Sequence, residues 1–203
     1  MKKYAVLHEP GDIVTLAGTR FVVLDVERRG SLPDSLFLLA LESVGASEFG
    51  SSNNYAESDL KKAVDKWLED MGKRGLDNAK LIPREIDLTT LDGSGCYGKL
   101  SVKAAPLTLD EAREYADIIP NAERWCWLAT GWSGPSKSDG DLALYVYSGG
   151  GWNYFNCSHS GGIRPALKIP SDLLLDSADK PDLSEVPTDT LLEEIRRRVV
   201  DKA

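Results

Sequence analysis

Two short apolar runs set the pattern of the first third. Residues 12–16 and 21–26 are rich in Val, Ile and Phe and are separated by Ala17-Gly18-Thr19-Arg20. Runs of this length around a Gly-containing turn predict a β-hairpin. A third apolar run, 35–41, follows the breaker Gly30-Ser31-Leu32-Pro33-Asp34, so a three-stranded meander is expected. The Gly/Ser/Asn-rich stretch 45–54 reads as a loop. The spacing then changes. Leu60, Val64, Trp67, Leu68 and Met71 share one helical face, which predicts a helix over 58–71 stopped by Gly72. Trp67 on that stripe reads as a core anchor. Thr108-Leu109-Asp110-Glu111 fits a capping box. Ala112, Tyr115, Ala116 and Ile119 continue it as a helix over 108–119, ended by Pro120-Asn121. Between the helices, 81–107 reads as irregular, with a turn at Asp92-Gly93-Ser94-Gly95.

The last third returns to period two. Trp125-Cys126-Trp127-Leu128, 142–147, 152–155 and 163–167 are expected strands, punctuated by Gly149-Gly150-Gly151. Alternation puts Trp125 and Trp127 on one face and Cys126 on the other. Trp132, between Gly131 and Ser133-Gly134, is expected on an exposed loop. Residues 1–175 would form one domain and the polar stretch 176–187 a linker. A C-terminal helix over 188–203 would carry Leu191, Leu192, Ile195 and Val199 on one side. Its Arg196-Arg197-Arg198 lies near the end that favours cations. Docking of this helix on its own domain or on a second copy, giving a homo-oligomer, is expected. The order β–α–α–β indicates an α+β class rather than a parallel βαβ sheet.

With 203 residues, the chain can bury roughly 70% of its unfolded surface and needs no staples. Its 32 acidic against 24 basic residues give a net charge of −8, which argues against nucleic acid as a partner. No stretch approaches the ~20 apolar residues of a membrane span. The N-terminus lacks the apolar core of a secretory signal, so a cytoplasmic protein, or one in a virion assembled there, is expected. Cys96, Cys126 and Cys157 are three, widely spaced and without a CxxC pair. Neither a disulfide scaffold nor a zinc site is expected, and no cofactor is indicated. His159 lies two residues from Cys157, so a thiol–imidazole dyad is conceivable were both on one strand.

Several segments resemble a domain family of unknown function common in gut bacteria and their phages. They are Gly11-Asp12-Ile13-Val14 with Phe21-Val22-Val23-Leu24-Asp25, then Asn54-Tyr55-Ala56-Glu57-Ser58-Asp59-Leu60 with Trp67-Leu68. Trp125-Cys126-Trp127-Leu128 and the closing Gly161-Gly162-Ile163-Arg164-Pro165-Ala166-Leu167 complete the set. The arginine usual after the Trp-Leu strand is replaced here by Ala129-Thr130. Gly150-Gly151-Trp152-Asn153 followed by Gly162-Ile163-Arg164 is also similar to C-type-lectin-like domains of the formylglycine-generating-enzyme type. The resemblance implies a C-type-lectin-like fold with two helices on a twisted, mostly antiparallel sheet. Arg164, in an apolar strand, is expected to pin the sheet through a buried acid or backbone carbonyls.

Two Gly/Ser-rich loops, 130–141 and 148–162, carry the candidate binding residues Trp132, Asn153, Tyr154, Phe155, Asn156 and His159. Tyr, Trp, Ser and Asn make adaptable binding surfaces, and aromatics beside amides suit sugars. The calcium ligands of animal C-type lectins are absent, since Trp152-Asn153 is followed by Tyr154. A non-enzymatic module binding a glycan or protein, associated with a phage or cell surface, is the leading expectation. An assembly component and an oxidase using Cys126 and Cys157 are the alternatives.

Overall fold

In the computed structural model, which describes residues 2–4, 8–29, 32–135 and 137–177, β1 (Lys2–Tyr4) precedes a hairpin of β2 (Ile13–Leu16) and β3 (Thr19–Arg29). Ala17 and Gly18 close that hairpin with φ of 47° and 77°. Positive φ at both central residues gives the turn the twist of its flanking strands. β4 (Leu32–Ala40) pairs antiparallel with β3, which completes the expected meander.

β5 (Ala46–Glu48) and a single 3-10 turn, Tyr55–Glu57, lead to α1 (Asp59–Lys73). The Asn54-to-Ser58 segment is built for this entry. Asn54 caps the 3-10 turn, Tyr55 is fully buried, and Ser58 Oγ accepts the Lys61 N–H at 2.9 Å. Such a cap is worth about 1 kcal/mol. Leu60, Val64 and Met71 face the core, and the Trp67 ring packs on Phe21. The helix does not stop at Gly72. Gly72 stays helical beneath Asn78, whose Nδ2 donates to the Leu68 carbonyl, and the chain reverses at Gly75 with φ of 102°.

The segment expected to be irregular contains a hairpin of β6 (Arg84–Asp87) and β7 (Lys99–Val102), then β8 (Ala104–Ala105). The alternation was hidden because an arginine fills an inward position. Arg84 is buried like Ile86, while Glu85 and Asp87 point outward. Its Nη2 donates to the carbonyls of Ala105 and Pro106, its Nη1 pairs with Glu111, and it lies over the Phe37 ring at 5.2 Å. α2 (Leu109–Glu114) starts at Thr108 with the expected capping box. Glu111 therefore serves both the cap and Arg84. The helix is shorter than its apolar stripe. After Glu114 the hydrogen bonds tighten, with Ala116 N–H to the Arg113 carbonyl and Ile118 N–H to that of Tyr115.

β9 (Cys126–Gly131), β10 (Leu142–Val146), β11 (Trp152–Asn156), β12 (Ser160–Gly162), β13 (Ala166–Pro170) and β14 (Leu174–Ser177) follow. A seven-stranded sheet runs β1-β14-β2-β3-β4-β13-β8, and a five-stranded sheet runs β11-β10-β9-β12-β5. The pairings are antiparallel except for one parallel bridge, Gly162 to Cys126. The class is thus α+β, mostly sheet, with two α-helices among the described residues. Asp176 and Ser177, expected to open a linker, are paired with β2. The expected C-terminal helix lies outside the described residues.

Both faces of the large sheet are covered. Phe21, Val23, Leu36 and Leu38 join α1 and Trp127 in one hydrophobic cluster, and Val22, Leu24, Phe37 and Leu39 join Leu109, Leu128 and Leu144 in the other. The unbroken run Phe21-Val22-Val23-Leu24 is what a strand buried on both sides needs.

Of the expected strand 163–167, Ala166 and Leu167 open β13, while 163–165 are a crossover. The chain leaves the small sheet after Gly162 and enters the large one at Ala166. Between them, Ile163 N–H goes to the Gly45 carbonyl and Pro165 offers no N–H for a ladder. Ala40 holds the crossover from both sides. Its N–H donates to the Pro165 carbonyl, and its carbonyl accepts Arg164 Nε at 2.8 Å. Arg164 thus pins the sheet through a backbone carbonyl; no ion pair joins it to a carboxylate among the described residues.

Candidate functional site

Residues 152–156 form a strand, as the period-two reading of 152–155 predicts, within the stretch 148–162 that also reads as a loop carrying binding residues. β11 pairs with β10 along its whole length, Val146 opposite Trp152 through Leu142 opposite Asn156. It is one of the two edge strands of the small sheet, β5 being the other. Alternation therefore divides the predicted binding residues. Tyr154 lies on the face of Leu144, where its ring meets Trp132 at 4.1 Å. Phe155 lies on the other face, stacked on Trp125 at 5.9 Å and 18° and against His159 at 4.1 Å. Trp132 is half-buried by its Tyr154 and core contacts rather than freely exposed.

The two asparagines are spent on holding the hairpin. Asn153 Nδ2 donates to the Tyr147 hydroxyl at 2.7 Å, and its Oδ1 accepts the Tyr154 N–H at 2.9 Å. The Asn153 hydrogen bond pulls the Tyr147 phenol below its usual range, while burial pushes Tyr145 up to about 12. Asn156 Nδ2 donates to Asp141, and its Oδ1 accepts from the Ser158 backbone and hydroxyl. What reaches solvent is rings. Tyr147 (42% exposed), Trp152 (42%), Tyr154 (43%) and Phe155 (39%) are the exposed large apolar side chains of the described residues, and all lie on this one hairpin.

The three cysteines are free thiols. Cys157 is buried while His159 is exposed against Phe155, so the conceivable dyad does not form. A tight turn after Asn156 sends the two side chains apart. Burial pushes Cys126 up, and burial with the Asp141 charge pushes Cys157 up to about 12. Both are neutral thiols near pH 7 and poor nucleophiles. Among the described residues, no cluster of His, Cys, Asp and Glu could hold a metal ion. No helix among them is long and apolar enough to cross a membrane.

Sequence reasoning missed a cleft. It opens between α2 and the small sheet, with a volume of about 310 Å³. Leu109, Ala112 and Ile119 form one wall, Leu128 and Val146 the other, and Arg113 and Trp152 the rim. The Arg113 guanidinium sits 5.2 Å from the Trp152 ring centre. Arg164 also lines it. Thr130 accepts the Leu109 N–H at 2.9 Å and so anchors the helix that walls the cleft. Only the lone arginine of an apolar segment pointed this way in the sequence, because the cleft joins residues from five separate stretches.

No family model matches the chain, and neither a curated protein nor a solved structure does.

Proposed function

We propose that this chain is a non-enzymatic recognition module of the C-type-lectin-like class, which holds a glycan on the β10–β11 hairpin. One observation carries the reading: the exposed large apolar side chains of the described residues, Tyr147, Trp152, Tyr154 and Phe155, all lie on that hairpin. The rings divide between the two faces, Trp152 with Tyr154 on one and Phe155 on the other, so each face of this edge hairpin offers an exposed aromatic contact to a ligand. Rings of this kind stack on the apolar faces of sugars, and Ser158, His159 and Ser160 supply exposed polar groups beside them. The strand edge itself is blunted. The Tyr154 N–H is taken by Asn153, and the Asn156 carbonyl by the His159 N–H. That disfavours addition of a peptide strand, which needs a free row of backbone groups. The mixed fold and the order of the family-like motifs support the C-type-lectin-like assignment. A phage- or cell-surface setting follows from the same resemblance.

A glycan array probed with the full chain, its Tyr154→Ala and its Phe155→Ala forms tests the reading. Binding should fall about tenfold or more in at least one variant, as for an interface anchor. Folding stability should change by only about 1 kcal/mol, against the ~3–5 kcal/mol of a buried aromatic. Binding by no glycan, or equal binding by all three proteins, would overturn it.

A further inference from the structure

We infer that the cleft between α2 and the small sheet is a second binding site, and that it takes a small apolar carboxylate. The class of ligand is set by the lining. The walls are aliphatic: Leu109, Ala112, Ile119, Leu128 and Val146. The charged residues lining the cleft are two arginines, Arg113 and Arg164, with no Asp or Glu among the lining side chains. In a chain of net charge −8, that local sign favours an anion.

Arg164 is the decisive group. It is only 7% exposed, its Nε is committed to the Ala40 carbonyl at 2.8 Å, and its Nη2 has no hydrogen-bond partner in the protein. A buried guanidinium donor without an acceptor is costly, and a carboxylate is the acceptor its fork fits best. Loss of water already disfavours its charged form, which an arriving anion would offset. Arg113 stands at the mouth over Trp152, where it meets the ligand before the inner arginine does. The volume of about 310 Å³ lies at the small end of ligand sites, suited to a medium-chain fatty acid or an aryl-alkanoic acid rather than an oligosaccharide. The site shares Tyr147 and Trp152 with the aromatic hairpin but not Tyr154 or Phe155, and it stands whether or not the hairpin binds glycans.

Isothermal titration of the full chain with octanoate, 3-phenylpropionate and 1-octanol tests the inference. The two carboxylates should bind, and the uncharged alcohol should bind at least about tenfold more weakly, the size of one charge-assisted hydrogen bond. Ala116→Trp fills the cleft from an exposed position and should abolish binding without unfolding the protein. Arg164→Lys keeps the charge but not the fork and should weaken octanoate about tenfold; if it fails to fold, Arg113→Gln at the rim replaces it and should weaken octanoate more than octanol. Tyr154→Ala should leave octanoate binding unchanged, which separates this site from the glycan face. No binding, equal binding of acid and alcohol, or binding unaffected by Ala116→Trp would overturn the inference.

Discussion

Gly161 lies directly against the Trp125 indole: a Cβ there would stand 2.3 Å from Cζ3 of that ring and 2.6 Å from Nε1 of Trp127. The same nitrogen donates to the Ser47 carbonyl at 3.1 Å, which ties β9 to β5 across the intervening β12. A glycine is needed at 161 because the two indoles occupy the space of a side chain.

Gly161→Ala should therefore destabilise by about 1–3 kcal/mol, the cost of overpacking a filled site. Equilibrium denaturation with urea measures it. Gly149→Ala, where an added Cβ meets nothing within 4 Å, is the control and should change the midpoint little. Equal midpoints for both variants would show that the Trp125 ring moves aside freely.

Asp92 gives the fold an acid limb. It accepts hydrogen bonds from Lys137 and Thr90, which hold its carboxyl down at about 2. The unfolded carboxyl titrates near 3.9. Because the folded value is the lower one, the contribution is present above about pH 4 and is lost as pH falls through about 2. Asp92→Asn should lower the urea midpoint at pH 7, and the gap to the wild-type chain should narrow between pH 4 and 2. A gap independent of pH would mean that the carboxylate charge plays no part.

The thiols should be sharply unequal. Cys96 is exposed, whereas Cys126 and Cys157 are buried with their thiols pushed up. Ellman's reagent at pH 8 should modify Cys96 quickly and the other two only after unfolding in guanidinium. Fast modification of Cys157 in the folded chain would mean that the turn after Asn156 opens readily.

Much of the frame was legible in the chain itself. Phe21-Val22-Val23-Leu24 and the run around Leu36–Leu39 announced strands, Leu60, Val64 and Met71 announced α1, and Thr108 with Glu111 announced the start of α2. These signals are local: each is a periodicity or a cap within one stretch. The hairpin holding Arg84 and Ile86 was not legible, because an inward arginine breaks the apolar alternation and its justification, Glu111 and the carbonyls of Ala105 and Pro106, comes from elsewhere in the chain. The same holds near the end of α1, where the Asn78 side chain comes close against Gly72.

The candidate sites divide along the same line. The sequence determined that aromatics and amides are concentrated between positions 147 and 156. Only the tertiary structure decided that they stand on an edge strand, with Tyr154 and Phe155 on opposite faces and both asparagines occupied by their neighbours. The cleft was decided by the tertiary structure alone. Ala112 and Arg113 come from α2, Leu128 from β9, Trp152 from β11 and Arg164 from the crossover between sheets. A cavity is a property of surfaces that meet without filling the space between them, and no single stretch of sequence records which other stretch it will face.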